Sequence, residues 1–301
     1  MAFTGSFSKH LTPAFRDIVG LTFRNWQAFY SQYLNVESTS GPFEKYFAAT
    51  GIPIAVEKPE GAPITFYDPM EGSEMIVRPD SYAVGVAVSR ELFDDDLYKS
   101  KGAIHKAATA LTKAFAELVE IKAAGILNGG FTDAAYNTVD GVVLFSTAHT
   151  RLDGGANQAN RPAVEAALSL TSLRAGLLAF DKWVDDRGYK IRGNPRKLII
   201  PLDLKYRAEE LLKSQGKPGG NDNDPNVTRG AVDILVVPYL TSTTAWILQG
   251  SDHYLKFFWR TRPMLDSYDD KNTKVAKYTI WGRFGGPIPV HWFDMYGTTG
   301  V

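Results

Sequence analysis

Five histidines, at positions 10, 105, 149, 253 and 291, are the first candidates for proton transfer or metal ligation in this 301-residue chain. None stands in a His-Glu-x-x-His spacing or any comparable short ligand spacing. His149 follows Ser146 by three residues, and a Ser/His nucleophile pair needs such neighbours. The Gly-x-Ser-x-Gly turn that presents a catalytic serine is absent, however. His149 therefore reads as a loop histidine held by hydrogen bonds.

The acidic residues lead no further. Asp94, Asp95 and Asp96 are consecutive, so on a forming helix their carboxylates diverge; they read as a cap at the positive end of a helix dipole. Asp222, Asp224 and Asn226, with Asp233 beyond, partly mimic a calcium loop. The sixth position, which should be glycine, is Val227, and Pro225 intrudes. That stretch reads as a solvated loop. No Gly-x-Gly-x-x-Gly or Lys-Ser/Thr phosphate loop occurs. Lys256 to Arg262 (KFFWRTR) interleaves bases with rings, as single-strand binders do, and a strand with one packed face explains it equally well. No catalytic residue, cofactor or metal site is assigned.

Composition narrows the class. Thirty-three basic and 33 acidic side chains give a net charge of zero. A dedicated nucleic-acid binder carries a basic excess, whereas neutrality weakens repulsion between packed copies. There is no cysteine, which removes disulfides, thiolate nucleophiles and cysteine metal sites together. The N-terminus lacks the apolar core of a signal peptide and no stretch reaches membrane-span length. A soluble chain made inside the cell is expected.

Residues 1–44 read as an aromatic arm. Phe15, Ile18, Val19, Phe23, Trp26, Phe29, Tyr30 and Tyr33 recur at roughly helical spacing, to pack on the chain's own core or on a neighbouring subunit. Residues 45–88 read as an extended hairpin excursion. Pro53, Pro59, Pro63, Pro69 and Pro79 exclude a helix, strands are expected at 64–67 and 82–88, and a turn at 69–72. An isolated hairpin is only marginally stable, so this one is expected to lie on a neighbour. A helix of roughly 32 residues follows, carrying Ile104, Ala107, Ala108, Leu111, Phe115, Leu118, Ile126 and Leu127 and ending at Gly129-Gly130; it would span about 48 Å. Helices are predicted at 163–183 and 202–214, strands at 197–201, 234–237, 245–248, 254–260 and 275–284, and the mixture is α+β.

Several stretches carry a family resemblance: EGAPITFYD from Glu60, SRELFDDDLY from Ser89, DGVVLFSTAH from Asp140, LIIP from Leu198, VVPYL from Val236 and AWIL from Ala245. In that order, and with the arm, hairpin, long helix and returning strand around them, they resemble the Hong Kong 97-type capsid fold of tailed bacteriophages, and within it the Mu-type major head subunits. The resemblance runs from about residue 15 to residue 290.

It implies a major capsid protein, not an enzyme, divided into an arm (1–44), an extended hairpin loop (45–88), a peripheral domain with a spine helix (89–162), an axial domain (163–265) and return strands (266–301). Hexamers and pentamers would close an icosahedral shell around double-stranded DNA, assembled in the host bacterial cytoplasm. Phe15, Phe23, Trp26, Tyr30, Ile64, Phe66, Tyr67 and Met70 are the expected inter-subunit contacts. The short segment before the hairpin points to a separate scaffolding protein, or to none; a portal and a decoration protein are further expected partners, and a membrane is not. An encapsulin-type nanocompartment shell shares the fold and is the alternative, and an enzyme without recognisable motifs is a more distant one.

Overall fold

A computed structural model describes residues 7–49, 51–69, 71–89, 91–92, 102–218, 224–270 and 275–301. These fall into two compact units. The first takes described residues within 1–44, 77–123 and 257–287, and the second those within 45–76, 124–256 and 288–301.

The first unit is built on a four-stranded sheet in the order β1-β8-β9-β4, from Asn35–Ser38, Leu255–Asp270, Val275–Pro289 and Asp80–Ser89. In β9 every second residue is apolar or small. Ala276, Tyr278, Ile280 and Phe284 are buried, while Lys277 and Thr279 between them are half-buried. That is the predicted alternation, with one face turned to a core. β4 runs antiparallel to β9 in unbroken register from Asp80↔Phe284 to Ser89↔Val275, so the expected strand at 82–88 is present. β8 continues ten residues beyond the predicted end at Arg260. Pairing with β9 overrides the weak strand signal of its distal half.

Helix α1 (Phe7–Asn25) belongs to this unit. Phe15 is fully buried and stacks on Tyr278, ring centroids 4.0 Å apart. Helix α2 (Ala103–Gly129) has 27 residues and spans about 40 Å. It buries Ala108, Leu111, Phe115 and Val119 at helical spacing, and ends at the predicted Gly129-Gly130. The acidic run at 94–96 expected to cap it lies outside the described residues. Across from Phe115 the sheet needs a glycine, since a Cβ on Gly282 would stand 2.9 Å from the ring.

The second unit has its own sheet in the order β10-β7-β5-β6, from Met295–Thr298, Trp246–Gly250, Pro195–Ile200 and Asp233–Val236. β5 and β6 are parallel, and the other pairs are antiparallel. Leu198, Ile199, Ile200, Trp246, Ile247 and Leu248 are all buried, which explains runs of apolar residues without alternation. Helix α3 (Leu170–Lys182) starts later than predicted, because Ser169 and Ser172 form a reciprocal capping box there. It lies close enough to the sheet that a Cβ on Gly176 would meet Leu248 at 2.8 Å. A 3-10 turn (Leu202–Leu204) leads into helix α4 (Lys205–Lys213), which buries Ala208, Leu211 and Leu212.

A two-stranded sheet of β2 (Glu44–Ala49) and β3 (Glu71–Val77) completes the elements. Ala48 joins Val139 and Val290 in a small core covered by Tyr46, Met75 and Leu152.

Candidate assembly interface

Between β2 and β3 the described chain runs through residues 51–69 with no regular structure. Pro53, Pro59, Pro63 and Pro69 remove donors that a ladder would use, so the strand predicted at 64–67 does not form. The predicted turn at 69–72 is also corrected. The chain reverses at Pro59–Ala62, where the Ala62 N–H donates to the Pro59 carbonyl at 3.1 Å and Gly61 adopts φ +79°. Gly72 instead lies inside β3, and it is glycine because a Cβ there would come within 2.8 Å of Leu152 and 2.9 Å of Ala48.

Both legs carry apolar side chains at every second position. Ile52, Ile54 and Val56 lie on the outgoing leg and Ile64 and Phe66 on the returning one; all are exposed, Phe66 at 90%. Tyr67 is exposed beside them. Of the four contacts predicted here, Ile64, Phe66 and Tyr67 are thus presented to solvent, and Met70 lies outside the described residues. An apolar run this bare needs cover from elsewhere.

The arm behaves differently. Phe15 and Tyr30 are buried within the first unit, and Phe23 and Trp26 are half-buried. Phe23, Trp26, Tyr30 and Phe257 form a chain of ring contacts with centroids 5.0–6.3 Å apart. The Trp259 indole N–H donates to the Tyr30 hydroxyl at 3.2 Å. Glu120 of α2, 1% exposed, accepts the backbone N–H groups of Phe29 at 2.8 Å and Tyr30 at 3.0 Å. Burial raises the Glu120 carboxyl above its ordinary range, and these two donors partly offset it. Of the two readings of the arm aromatics, packing on the chain's own core accounts for Phe15 and Tyr30. Phe23 and Trp26 keep part of their surface exposed.

The side chains suspected of chemistry are occupied structurally. His149 is fully buried and stacks on Trp292. Its Nδ1 lies 2.7 Å from the Asp140 carboxylate and its Nε2 3.2 Å from the side-chain Oδ1 of Asn160. Ser146 Oγ instead accepts from the Ala148 N–H, so no Ser/His nucleophile pair exists. Burial would raise the Asp140 carboxyl, but hydrogen bonds from His149 and Thr138 hold it below its ordinary range. In the acidic loop, Asn226 is buried and its amide donates to the Leu211 carbonyl at 2.8 Å. Asp222 lies outside the described residues, among which no group of three or more metal-ligating side chains occurs. Phe257, Phe258 and Trp259 are all in the core, so the KFFWRTR stretch offers no stacking platform. No helix among the described residues is long and apolar enough to cross a membrane.

Two contacts had no signal in the local sequence. Arg187 Nε donates to the Gly51 carbonyl at 3.0 Å and the Tyr189 hydroxyl to the Ile52 carbonyl at 3.3 Å. Both act where the outgoing leg begins.

Several solved structures share this fold. The bacteriophage JBD30 capsid matches with a TM-score of 0.59 at 16% identity, covering 80% of this chain and 97% of that one. The Microbacterium phage Oxtober96 structure matches at 0.56 and 10% identity, covering 90% of each chain. A virus-like particle from Pyrococcus furiosus matches at 0.51 and 12% identity, covering 98% and 100%. No curated protein matches in sequence. The fold is that of Hong Kong 97-type capsid subunits. The sequence profile of the phage capsid protein family matches residues 72–293. The chain belongs to that family and is a major capsid protein.

Proposed function

We propose that this capsid protein assembles as hexamers and pentamers into an icosahedral shell around double-stranded DNA, with the 51–69 excursion of each subunit lying on a neighbour. The observation that carries this reading is the excursion itself. It has no ladder, no core of its own and exposed apolar side chains on both legs, so only a partner surface makes it favourable in water. Ring contacts are head-to-tail, a patch on one subunit meeting a different patch on the next, and obligate interfaces bury roughly 2,000 Å² or more. Phe23 and Trp26 add to the arm's surface. Residues 163–265 face the ring axis, a placement favoured by the exposed Leu202 in the 3-10 turn and the exposed Tyr206 in α4. Residues 89–162 and 266–301 form the periphery, and residues 1–44 the arm.

The role is structural and not catalytic. With no net charge, the shell meets DNA through diffuse contacts on its inner face. A separate scaffolding protein and a portal take part in assembly in the host cytoplasm. A decoration protein is a further partner; the JBD30 capsid has been seen decorated with minor capsid protein trimers. The family match favours a phage head over an encapsulin-type compartment. Terminase and portal genes beside this one support the phage reading, and a cargo-enzyme gene would support the other.

Because β3 is paired and packed at 71–77, the test should spare it. Residues 53–68 are replaced by a flexible linker, and wild type and variant are expressed with and without the scaffolding protein. Electron microscopy should show closed shells or separate hexamers and pentamers for wild type, and a soluble folded subunit without shells for the variant. Normal particles from the variant would overturn the assignment of the excursion.

A further inference from the structure

The excursion contains little that could hold its own direction. Apart from the turn at Pro59–Ala62, its course is tied down from outside, where it begins. The two donors responsible stand on a tight hairpin closed by the Val184↔Lys190 bridge. The Asp185 carboxylate accepts from the N–H groups of Arg187 at 2.9 Å and Tyr189 at 2.8 Å. Gly188, at φ +83°, closes the turn by donating to the Asp185 carbonyl at 3.0 Å. Asp186 anchors the hairpin by accepting from the Leu152 N–H at 3.1 Å. Four hydrogen bonds thus build a small platform, and Arg187 and Tyr189 project from it onto two successive carbonyls, those of Gly51 and Ile52.

Both of these bonds are exposed, so they add little to the stability of the fold. They act on the entropy of the excursion. A leg fixed at its root samples fewer directions, so less freedom is lost when its apolar side chains dock. We infer that Arg187 and Tyr189 are positioning residues, a latch that pre-aims the 51–69 excursion at the second copy. This rests on the reading of the excursion as an inter-subunit contact.

The test compares wild type with R187A/Y189F and with R187K, whose ammonium still donates. The first readout is cleavage at the exposed Lys58 by a lysine-specific protease on unassembled subunit, followed by mass spectrometry. The second is the concentration threshold for shells and their diameters by electron microscopy. The double variant should melt with wild type, be cut at Lys58 several-fold faster and assemble at a threshold raised about tenfold, with a broader spread of diameters. R187K should recover most of the loss. Unchanged cleavage would show that no latch exists. Faster cleavage with unchanged threshold and diameters would show a latch without a role in assembly, and either result overturns the inference. If wild type itself forms neither shells nor separate hexamers and pentamers, the assembly reading falls and takes the inference with it, an outcome distinct from one in which the variants alone behave like wild type.

Discussion

Phe66→Ala separates the stability of the subunit from the stability of the shell. In the lone chain Phe66 is 90% exposed, so folding gains almost nothing from its ring. The substitution should leave the melting temperature of unassembled subunit unchanged within about 0.5 kcal/mol of stability, as for other surface changes. Assembly is another matter. A phenylalanine buries about 150–250 Å², and at roughly 25 cal/mol per Å² complete burial contributes about 4–6 kcal/mol. Interface burial is incomplete and partly offset by ordering costs, so about 2 kcal/mol is the working figure.

On the proposed arrangement each subunit of a closed shell gives one Phe66 to a neighbour and receives another, so the substitution removes one such contact per subunit. A loss of about 2 kcal/mol per subunit raises the assembly threshold about 30-fold, at 1.4 kcal/mol per tenfold. Light scattering across a concentration series, with sedimentation to separate shells from free subunit, reads that threshold. A Phe66→Ala threshold equal to wild type would show that the ring stays exposed in the shell. A subunit melting several degrees lower would show that Phe66 already packs within its own chain. Either result refutes the reasoning.

Glu120→Ala removes the acceptor of two N–H groups at the arm's base, one of them buried; at about 1–3 kcal/mol for a stranded buried donor, the subunit should lose about 2 kcal/mol, and Glu120→Gln about half of that, by thermal melts. His253 has its imidazole pKa lowered from 6.5 to about 4 by burial and by the nearby Lys197, with Asp252 opposing. Its Nδ1 accepts from the Leu255 N–H at 3.4 Å, which requires a lone pair there. Above pH 6.5 the group is neutral in both states and contributes no pH dependence; between pH 6.5 and about 4 the unfolded chain binds the proton and the folded one resists it. Stability should therefore fall across that window by up to about 3 kcal/mol. His253→Asn, which keeps an acceptor for the i+2 N–H, should flatten that part of the profile; an unchanged slope would assign it to other groups.

How far the sequence shows these features depends on whether the cause of each lies nearby in the chain. β9 is legible because a strand with one buried face must alternate, and Ala276, Tyr278 and Ile280 do. α2 is legible because Leu111, Phe115 and Val119 follow the helical period. The distal half of β8 is not legible: Pro263 argues against a strand, and the register that imposes one comes from β9. The latch at Gly51 is not legible either, since its donors stand 136 and 137 residues away. Glu120 left a trace that was readable in principle, a carboxylate set into the apolar stripe between Phe115 and Ala123, where a buried charge requires donors. The excursion is legible as a non-helical, exposed segment, although the strand expected at 64–67 and the turn expected at 69–72 do not form. Its prolines forbid a ladder while its apolar residues keep a two-residue period, so the segment is shaped as a strand yet barred from pairing within its own chain. On the proposed reading a surface outside the chain covers such a segment, which makes this local absence of pairing the clearest trace of assembly in the sequence.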